Sequence, residues 1–422
     1  KMRDLWNPPH SWKIVTQMLR EEYDRVMEVV GPESFHGFRR NRDAGEAAGV
    51  ASWQTEEANT LCSPFVRVMV DLSGFFMGVV RRLLYALEGD LGTAVGVTEA
   101  MARVHDAMRG RANTAYGLSK SWCVSKGTGQ GCINAPVRSL MQLIVTAMAL
   151  ERYAAGYCFQ TPRGADAACV RQEWFADDLN AGARDGQGAQ LVCDGAWIGS
   201  LISGNVIGVA ADASKTAVLH GECDAEGYRT VRVHDITLPD GRPVPHVAGD
   251  RAHYTLLGHK TGADMGNPDT VESFTYRTSL SARLIPRVTP LGLTSYATIV
   301  DGLIGSLALY YGGPSPIGWD AAERVDTERR KAVRRLGAQA ARGPRAQMYA
   351  TRAEGGMQQT HVYAHCGAAS VVHVDKGLRA MHGDGFGMAT QAALALRAHQ
   401  LGFTPDRRTP TPLDWMPHYA AH

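Results

Sequence analysis

Two adjacent aspartates, Asp177 and Asp178, lie in the stretch EWFADDLNA at 173–181, between two short apolar segments. Neighbouring carboxylates repel each other, so the chain must fold in a way that places the pair in water or beside a cation. The flanking segments are typical of two strands that meet at the aspartates. Taken alone, the pair favours a solvated turn, and the alternative is a divalent-cation site that takes a third carboxylate from elsewhere.

Asp71 is a candidate for that third carboxylate. In PFVRVMVD at 64–71, valines at every second position predict a short strand that ends at Asp71. If this strand and the strands around Asp177 and Asp178 are neighbours, the three acids form a site for Mg²⁺, or for Mn²⁺, because these cations prefer oxygen ligands.

The 422 residues include 45% hydrophobic and 20% charged residues, which is typical of a globular protein with several structural units. The net charge of +2 gives no sign of a nucleic-acid partner, although RRKAVRRLGAQAARGPR at 329–345 holds seven basic residues and no acid. No apolar stretch is long enough to span a bilayer, so we expect no membrane partner. Eight cysteines without a CxxC pair argue against structural zinc, and reduced thiols favour an intracellular protein. Because the sequence begins at Lys1, we expect it to be a fragment of a longer chain.

Hydrophobic periodicity and turn residues predict an α+β chain. The expected helices are 11–31, 44–61, 75–87, 95–109, 135–153 and 189–205, followed by a mainly helical part from about 270 with breaks at Pro286, Pro290, 312–316 and 343–345. The expected strands are 64–71, a pair within 114–131, the two segments around the aspartates, 216–221, 228–233 and 253–262.

Several stretches resemble reverse transcriptases, in the same order along the chain. MVDLSGFFMGV, GTGQGCINAPVRSL and WFADDLN are similar to the first, second and third palm motifs, and YTLLGHKTG is similar to the primer-gripping turn. DGLIGSLALYYGG and RAQMYATRAEGGMQ resemble the thumb of LINE-type, non-LTR retroelements. The resemblance implies a right-hand polymerase with helical fingers (1–62), an α+β palm with the acids on antiparallel strands (63–265, with a fingers-side insertion at about 88–128), a helical thumb (266–360) and a helical C-terminal extension (361–422).

The resemblance also implies roles for individual residues. Asp71 and Asp177 hold both metal ions, Asp178 is the adjoining acid, and Lys215 protonates the leaving pyrophosphate. The remaining assignments concern substrates: Lys13 and Arg42 for the triphosphate, with Arg39 as a rival to Arg42; Phe76, Gln130 and Gly131 for the nucleotide; Leu257, Gly258, Arg330 and Arg334 for the primer and duplex. For these residues, a packing aromatic, a flexible loop or a solvated charge is the alternative.

The function implied is RNA-directed DNA polymerisation, in which an RNA template directs the extension of a DNA primer with dNTPs and Mg²⁺. Phe76 and FADD favour deoxynucleotides, since RNA-templated RNA polymerases usually carry an acid at the first position and GDD at the second. Phe75 and Met77 depart from the family pattern beside the sugar pocket. An RNA-dependent RNA polymerase and a decayed, RNA-binding scaffold remain alternatives. A nuclear location follows only if the enzyme primes on chromosomal DNA.

Overall fold

The computed structural model describes residues 10–111, 113–129, 131–160, 166–209, 215–224, 227–230, 235–247, 253–262, 268–288, 293–315, 317–336, 346–354, 357–380 and 385–400. The helices are α1 (His10–Val30), α2 (Ala44–Leu61), α3 (Arg81–Asp90), α4 (Val95–Ala107), α5 (Ala135–Tyr153), α6 (Gly186–Ser203), α7 (Pro268–Val288), α8 (Leu293–Gly312), α9 (Trp319–Arg335), α10 (Ala346–Tyr349), α11 (Val362–Arg379) and α12 (Gly385–Gln400).

The strands include several very short ones. They are β1 (Phe65–Ser73), β2 (Arg109–Gly110), β3 (Asn113–Thr114), β4 (Gly117–Leu118), β5 (Trp122–Cys123), β6 (Tyr157–Gln160), β7 (Asp166–Val170), β8 (Glu173–Phe175), β9 (Asp178–Ala183), β10 (Val206–Gly208), β11 (Ala217–Asp224), β12 (Gly227–Thr230), β13 (His246–Val247), β14 (His253–Leu256) and β15 (His259–Gly262). The described part of the chain is therefore a mixed α and β structure.

Strand β1 is the centre of the largest sheet. The strand order is β12–β11–β1–β9–β8, with β10 also paired to β1 and β13 to β11. The pairings are antiparallel apart from that between β11 and β13. Because β1 has partners on both edges, its end is held at a fixed register relative to β9 and β10.

Helices cover both faces of β1. Val66, Val68 and Val70 pack into a core with α5 and α6, whereas Phe65 and Met69 pack into a second core with α2 and α12. Side chains of a strand alternate between faces, so Asp71 belongs to the face that α2 and α12 cover. It lies where β1 emerges from that core, since Asp71 is only half-buried.

Arg67 shows how tightly α2 covers this face. A strand in which apolar and polar residues alternate usually exposes its polar face to water, yet Arg67 is fully buried. Its guanidinium donates hydrogen bonds to the Ala51 carbonyl, to Thr55 Oγ1 at 3.0 Å and to Gln54 Oε1 at 3.3 Å, all on α2. The buried cation therefore fixes α2 against β1, four residues before Asp71 and on the same face of the strand.

The last helices form a second structural group. Helices α7, α8, α9 and α11 share a core around Phe274, Tyr296 and Tyr311. Helix α11 also reaches α2, because His373 lies between Gly313, at the end of α8, and Gly49 of α2. The C-terminal helices thus return to the N-terminal part of the chain and do not extend away from α7–α9.

Several predicted bounds need correction. β1 continues past Asp71 to Ser73, because β10 pairs with its last residues. The helix expected at 75–87 begins only at Arg81, since residues 74–78 form turns that bond to the loop at 127–128. The break expected at Pro286 is wrong, because α7 continues to Val288. Pro290 and 343–345 lie outside the described residues.

Cys158 and Cys169 form a disulfide between β6 and β7. The expectation of reduced thiols is wrong for this pair, because the hairpin register places the two residues directly opposite each other. Among the described residues, no helix combines the length and apolar character needed to cross a bilayer. Among the cysteines whose side chains the structure describes, Cys62 and Cys123 are free and exposed, and Cys132, Cys193 and Cys366 are free and buried.

Candidate active site

Asp71 and Asp178 lie opposite each other on neighbouring antiparallel strands. The β1–β9 register pairs Asp71 with Asp178 and Val70 with Leu179. Directly opposite residues of an antiparallel pair project from the same face of the sheet. Both carboxylates therefore leave the sheet on the same side, and the two acid-bearing strands are neighbours, which was the condition for a shared site.

Asp177 lies in the two-residue turn that joins β8 to β9. The other turn residue, Ala176, has a φ of 58°, a left-handed value that is uncommon for residues other than glycine. The Leu72 N–H of β1 donates to the Asp177 carbonyl oxygen at 3.2 Å. The turn is thus tied to β1 and holds a strained residue beside the aspartates, as is frequent at functional sites.

The carboxylate of Asp71 is surrounded by polar groups. Lys215 Nζ forms an ion pair with its Oδ1, and the Ser73 hydroxyl donates to its Oδ2 at 3.2 Å. The Asp71 N–H donates to Thr216 Oγ1 at 3.2 Å. Gly208 faces Asp71 from β10, and a Cβ at that position would lie 2.6 Å from Oδ2. The sheet therefore leaves space for this carboxylate only because residue 208 is glycine.

The three aspartates strain each other electrostatically. Burial, together with the charges of Asp177 and Asp71, raises the pKa of Asp178 to about 7, and Lys215 opposes the rise. The three carboxylates do not place one oxygen each within 4.8 Å of one another, so they do not form a closed ligand set by themselves. Hard oxygen donors held close on a rigid sheet suit Mg²⁺ or Mn²⁺, whose charge would relieve the repulsion. The type of donor present therefore suits the expected metal.

An aromatic group lies beside the acids. The ring of Phe76 is 5.1 Å from Phe75 and 6.4 Å from Phe38, and Phe38 is 6.4 Å from Phe175, two residues before Asp177. Phe75 is buried, whereas Phe38 is 41% exposed. Phe76 therefore forms part of a partly open apolar wall and is not simply a core residue.

The glycine-rich loop after β5 is joined to the same wall. The Gly127 and Thr128 N–H groups donate to the carbonyl oxygens of Val79 and Phe76, each at 2.9 Å. Gly131 has a φ of 110°, which only glycine adopts readily. Gln130 lies outside the described residues.

The predicted triphosphate residues have partners within the chain. Arg42 forms ion pairs with Glu33 and with Glu46, the latter at 3.4 Å. Arg39, the rival candidate, donates to two main-chain carbonyls of the linker between α1 and α2, at 2.6 and 3.3 Å. Lys13 is half-buried on α1. Both guanidinium groups therefore hold this linker, a role that the resemblance does not indicate.

The predicted primer turn is the tip of the β14–β15 hairpin. Leu257 and Gly258 both have positive φ, 50° and 82°, the pattern of a type I′ hairpin turn. The Tyr310 hydroxyl of α8 donates to the Leu257 carbonyl, and the Tyr310 ring stacks on His259 at 5.0 Å. Helix α8 thus supports the hairpin tip.

The same hairpin approaches the acids at its other end. Burial raises the pKa of Tyr254, and the negative charges of Asp178 and Asp71 raise it further. Charges influence a neighbouring pKa strongly only at short range. The charges of the aspartates thus reach the hairpin whose tip is the turn at Leu257 and Gly258.

The predicted duplex residues of α9 are less accessible than expected. Arg330 is 6% exposed and donates to Glu323 Oε1 at 2.6 Å and to Thr327 Oγ1 at 2.7 Å. This face of α9 packs into the helical group, which turns Arg330 inward. Arg334 is half-buried, and the rest of the basic run, from residue 337, lies outside the described residues.

Glu323, Asp326 and His361 bring their ligand atoms within 4.8 Å of one another. The Tyr363 N–H donates to His361 Nδ1 at 3.2 Å, so a neutral His361 carries its proton on Nε2, which points at Asp326 Oδ2 at 3.3 Å. Two arginines of α9 already neutralise the acids. This cluster is therefore best explained as the cap that begins α11.

Sequence reasoning missed a buried polar group around His36. Its ring contacts Glu46 of α2 and Glu173 of β8, and Lys376 of α11 binds Glu46 in turn. A single histidine in a loop carries no spacing signal, and the acids that bind it lie far away in sequence. Only the meeting of α2, β8 and α11 makes the group visible.

No family model and no curated protein matches this chain. Among solved structures, one similar to it is telomerase from Candida albicans in complex with the TWJ fragment of telomeric RNA, at 10% sequence identity and a TM-score of 0.42. The match covers 93% of this chain and 55% of the telomerase chain, so this chain spans about half the length of that protein. A likeness of this size does not define a function.

Proposed function

We propose that the protein is a metal-dependent nucleotidyltransferase, and specifically an RNA-directed DNA polymerase. The observation that carries the proposal is the β1–β9 register, which sets Asp71 against Asp178 with Asp177 in the adjoining turn. Nucleotide transfer needs positioned carboxylates and charge neutralisation more than covalent chemistry by the protein. A register held by partners on both edges of β1 supplies that positioning.

In this proposal Asp71, Asp177 and Asp178 hold Mg²⁺. When bound, the metal supplies activation of the primer hydroxyl and neutralises charge on the phosphates. Lys215 stabilises the Asp71 carboxylate and holds a proton beside the position expected for the leaving pyrophosphate. Gly208 keeps the Asp71 carboxylate free of steric pressure from β10.

The other substrates are assigned to neighbouring elements. Phe76, in the apolar wall, lies under the sugar and excludes a 2′-hydroxyl, which favours dNTPs. The loop with Gly131 approaches the nascent base pair, and the hairpin tip at Leu257 and Gly258 supports the primer strand. These roles rest on the motif resemblance, together with the hydrogen bond that joins the loop to Phe76.

The finer proposal is a LINE-type retroelement enzyme with a right-hand arrangement of fingers, palm and thumb. It rests on the order of the motifs in the sequence, and a nuclear location follows if the enzyme primes on chromosomal DNA. The decayed scaffold is the main rival. The presence of all three acids, with Lys215 in contact with Asp71, favours an enzyme over a scaffold that no longer needs them.

Primer extension on an RNA template tests the proposal. We expect Mg²⁺-dependent incorporation of dNTPs by the wild type and none by Asp177→Ala/Asp178→Ala. Competition with rNTPs separates a reverse transcriptase from an RNA polymerase. Binding of the primed RNA without extension, in a chain that binds Mn²⁺ normally, would favour the scaffold.

A further inference from the structure

The linker between α1 and α2 runs alongside β8 as an additional strand-like segment. The His36 N–H donates to the Trp174 carbonyl at 2.8 Å, and the Trp174 N–H donates to the Ser34 carbonyl at 2.7 Å. Gly37 then passes under the turn, where a Cβ would lie 2.6 Å from the Ala176 nitrogen. The linker backbone therefore supports both β8 and the turn that carries Asp177.

The side chain of His36 fixes the linker in this position. His36 is completely buried, and its ring nitrogens contact two carboxylates, Nδ1 with Glu46 at 2.7 Å and Nε2 with Glu173. A neutral imidazole has one N–H and one lone pair, so it can donate to only one of them. Two ionised carboxylate partners can therefore both be satisfied only by the doubly protonated imidazolium.

Charged groups from every neighbouring element face this cluster. Around His36, Glu46 and Glu173, the linker and the start of α2 contribute Glu33, Arg42 and Asp43, and α11 contributes Lys376. Helix α11 also contributes His373, which is neutral because burial lowers its pKa to about 4. If His36 lost its proton, the acids of this set would outnumber its cations by two. Although burial favours the neutral form, the charges and hydrogen bonds of Glu173 and Glu46 raise the pKa of His36 to about 9.

We propose that His36, as an imidazolium, is a positioning residue that holds the Asp177–Asp178 turn in its metal-binding geometry through Glu173. The inference rests on the proposed function for its metal-binding and kinetic consequences, whereas the exchange of the turn does not depend on that function. Glu173 begins β8, which leads into the turn. The next residue, Trp174, forms hydrogen bonds to the linker through both its N–H and its carbonyl oxygen. Loss of the contact between His36 and Glu173 should therefore loosen both β8 and the linker.

The test compares His36→Gln with His373→Gln. His373 is a matched control, because it is also buried and lies against α2, on which Glu46 stands, with its ring packed between Gly49, Gly313 and Phe386. Hydrogen–deuterium exchange of peptides covering 172–180 reports on the turn, and Mn²⁺ titration reports on the metal site. We expect faster exchange in 172–180 and a roughly tenfold or greater loss of Mn²⁺ affinity for His36→Gln, in the range found for groups that orient metal ligands.

Kinetics add a signature that a general structural role would not produce. We expect His36→Gln to lower kcat roughly tenfold or more with little change in the dNTP KM. The wild type should lose kcat as the pH rises through about 9, and this step should be missing from the variant but present in His373→Gln. Exchange that rises equally across the whole chain, or a turn and Mn²⁺ affinity unchanged in His36→Gln, would overturn the inference.

Two arrangements keep the test decisive. If His36→Gln does not fold, Gly385→Ala disturbs Glu173 from the side of α12 instead, because a Cβ there would collide with the Glu173 carboxylate. Exchange and Mn²⁺ binding do not need polymerase activity. A wild type that extends no primer would therefore count against the proposed function, while these two readouts still decide the role of His36.

Discussion

Asp71 stands directly across the β1–β9 ladder from Asp178, and Lys215 contacts only the first of these two carboxylates among the hydrogen bonds of the described residues. The acid without the lysine contact is the one whose pKa is raised, to about 7, by burial and by Asp177 and Asp71. The unfavourable electrostatic energy of the site therefore falls mainly on the ionised form of Asp178, which should affect both stability and activity.

Replacing Asp178 should stabilise the fold while it removes activity. Because the pKa of Asp178 is raised from 3.8 to about 7, the folded state binds the proton more tightly, and stability falls as the pH rises through this interval. We expect Asp178→Asn to increase the free energy of unfolding at pH 8 by about 1–3 kcal/mol, and by less at pH 5. Denaturant unfolding in EDTA measures this, and primer extension should fall by at least about 10³-fold. Destabilisation at both pH values would contradict the expectation.

Adding a methyl group at Gly208 should weaken the metal site without unfolding the sheet. A Cβ there would meet Asp71 Oδ2 at 2.6 Å and Ser73 Oγ at 2.5 Å, so the carboxylate must move. We expect Gly208→Ala to raise the Mg²⁺ concentration for half-maximal extension by about tenfold. Gly89→Ala is the control, since a Cβ on that helix meets open space. The same Mg²⁺ requirement in both variants would show that Gly208 does not protect the site.

Shortening Phe76 should relax the selection against ribonucleotides. Its ring is part of the wall formed with Phe75 and Phe38, so Phe76→Val opens space beside the sugar without touching the acids. We expect rNTP incorporation relative to dNTP incorporation to rise by about 10–100-fold, because the pocket loses the group that sterically excludes the 2′-hydroxyl. Phe38→Val serves as the control, in which the overall rate falls and the ratio stays the same. Competition assays on one primed template give the ratio directly.

The stability of the protein should fall at high pH because of His36. Its folded-state pKa of about 9 lies above the ordinary 6.5, so its contribution is complete below 6.5 and is lost as the pH rises through 9. We expect the wild type to lose about 1–3 kcal/mol of unfolding free energy between pH 7 and 10 that His36→Gln does not lose. Chemical unfolding at several pH values measures the difference. Parallel curves for the two proteins would mean that His36 is not charged in the fold.

Removing the Tyr310 hydroxyl should loosen the primer hairpin. This hydroxyl donates to the Leu257 carbonyl at the tip, and its loss leaves the stacking of the ring on His259 in place. We expect Tyr310→Phe to cost about 1 kcal/mol and to raise the KM for primed template several-fold, with kcat for the first nucleotide nearly unchanged. Tyr276→Phe, at an exposed site on α7, is the control. A fall in kcat alone would place Tyr310 nearer to the chemistry than to the primer.

Local signals explain which parts of the structure the sequence predicts well. Helix α2 begins where predicted because the Asp43 side chain caps the Glu46 N–H, and α5 begins with a proline in its first turn. The acid-bearing strands follow from valine alternation and from a doublet of turn residues. Each of these signals acts between residues that are close in the chain.

Long-range packing explains the rest. Phe75, Phe76 and Met77 have the composition of a helix, but hydrogen bonds from the loop at 127–128 hold this segment in turns. Arg330 belongs to a basic run that suggests a solvated or nucleic-acid-facing surface, yet Glu323 on the same helix draws it inward. The register that aligns Asp71 with Asp178 was likewise only a condition of the prediction, since no local pattern specifies which residues of two distant strands lie opposite each other.

Helix α11 limits how the molecule can change shape. His373 is wedged between Gly49 on α2 and Gly313 after α8, and Lys376 binds Asp43 and Glu46 nearby. The C-terminal helical group cannot swing away from α2 on this side unless the wedge is withdrawn. Any separation of these helices from α2 would therefore break the packing of His373 and both ion pairs of Lys376 at once, so α11 acts as a brace between the two ends of the chain.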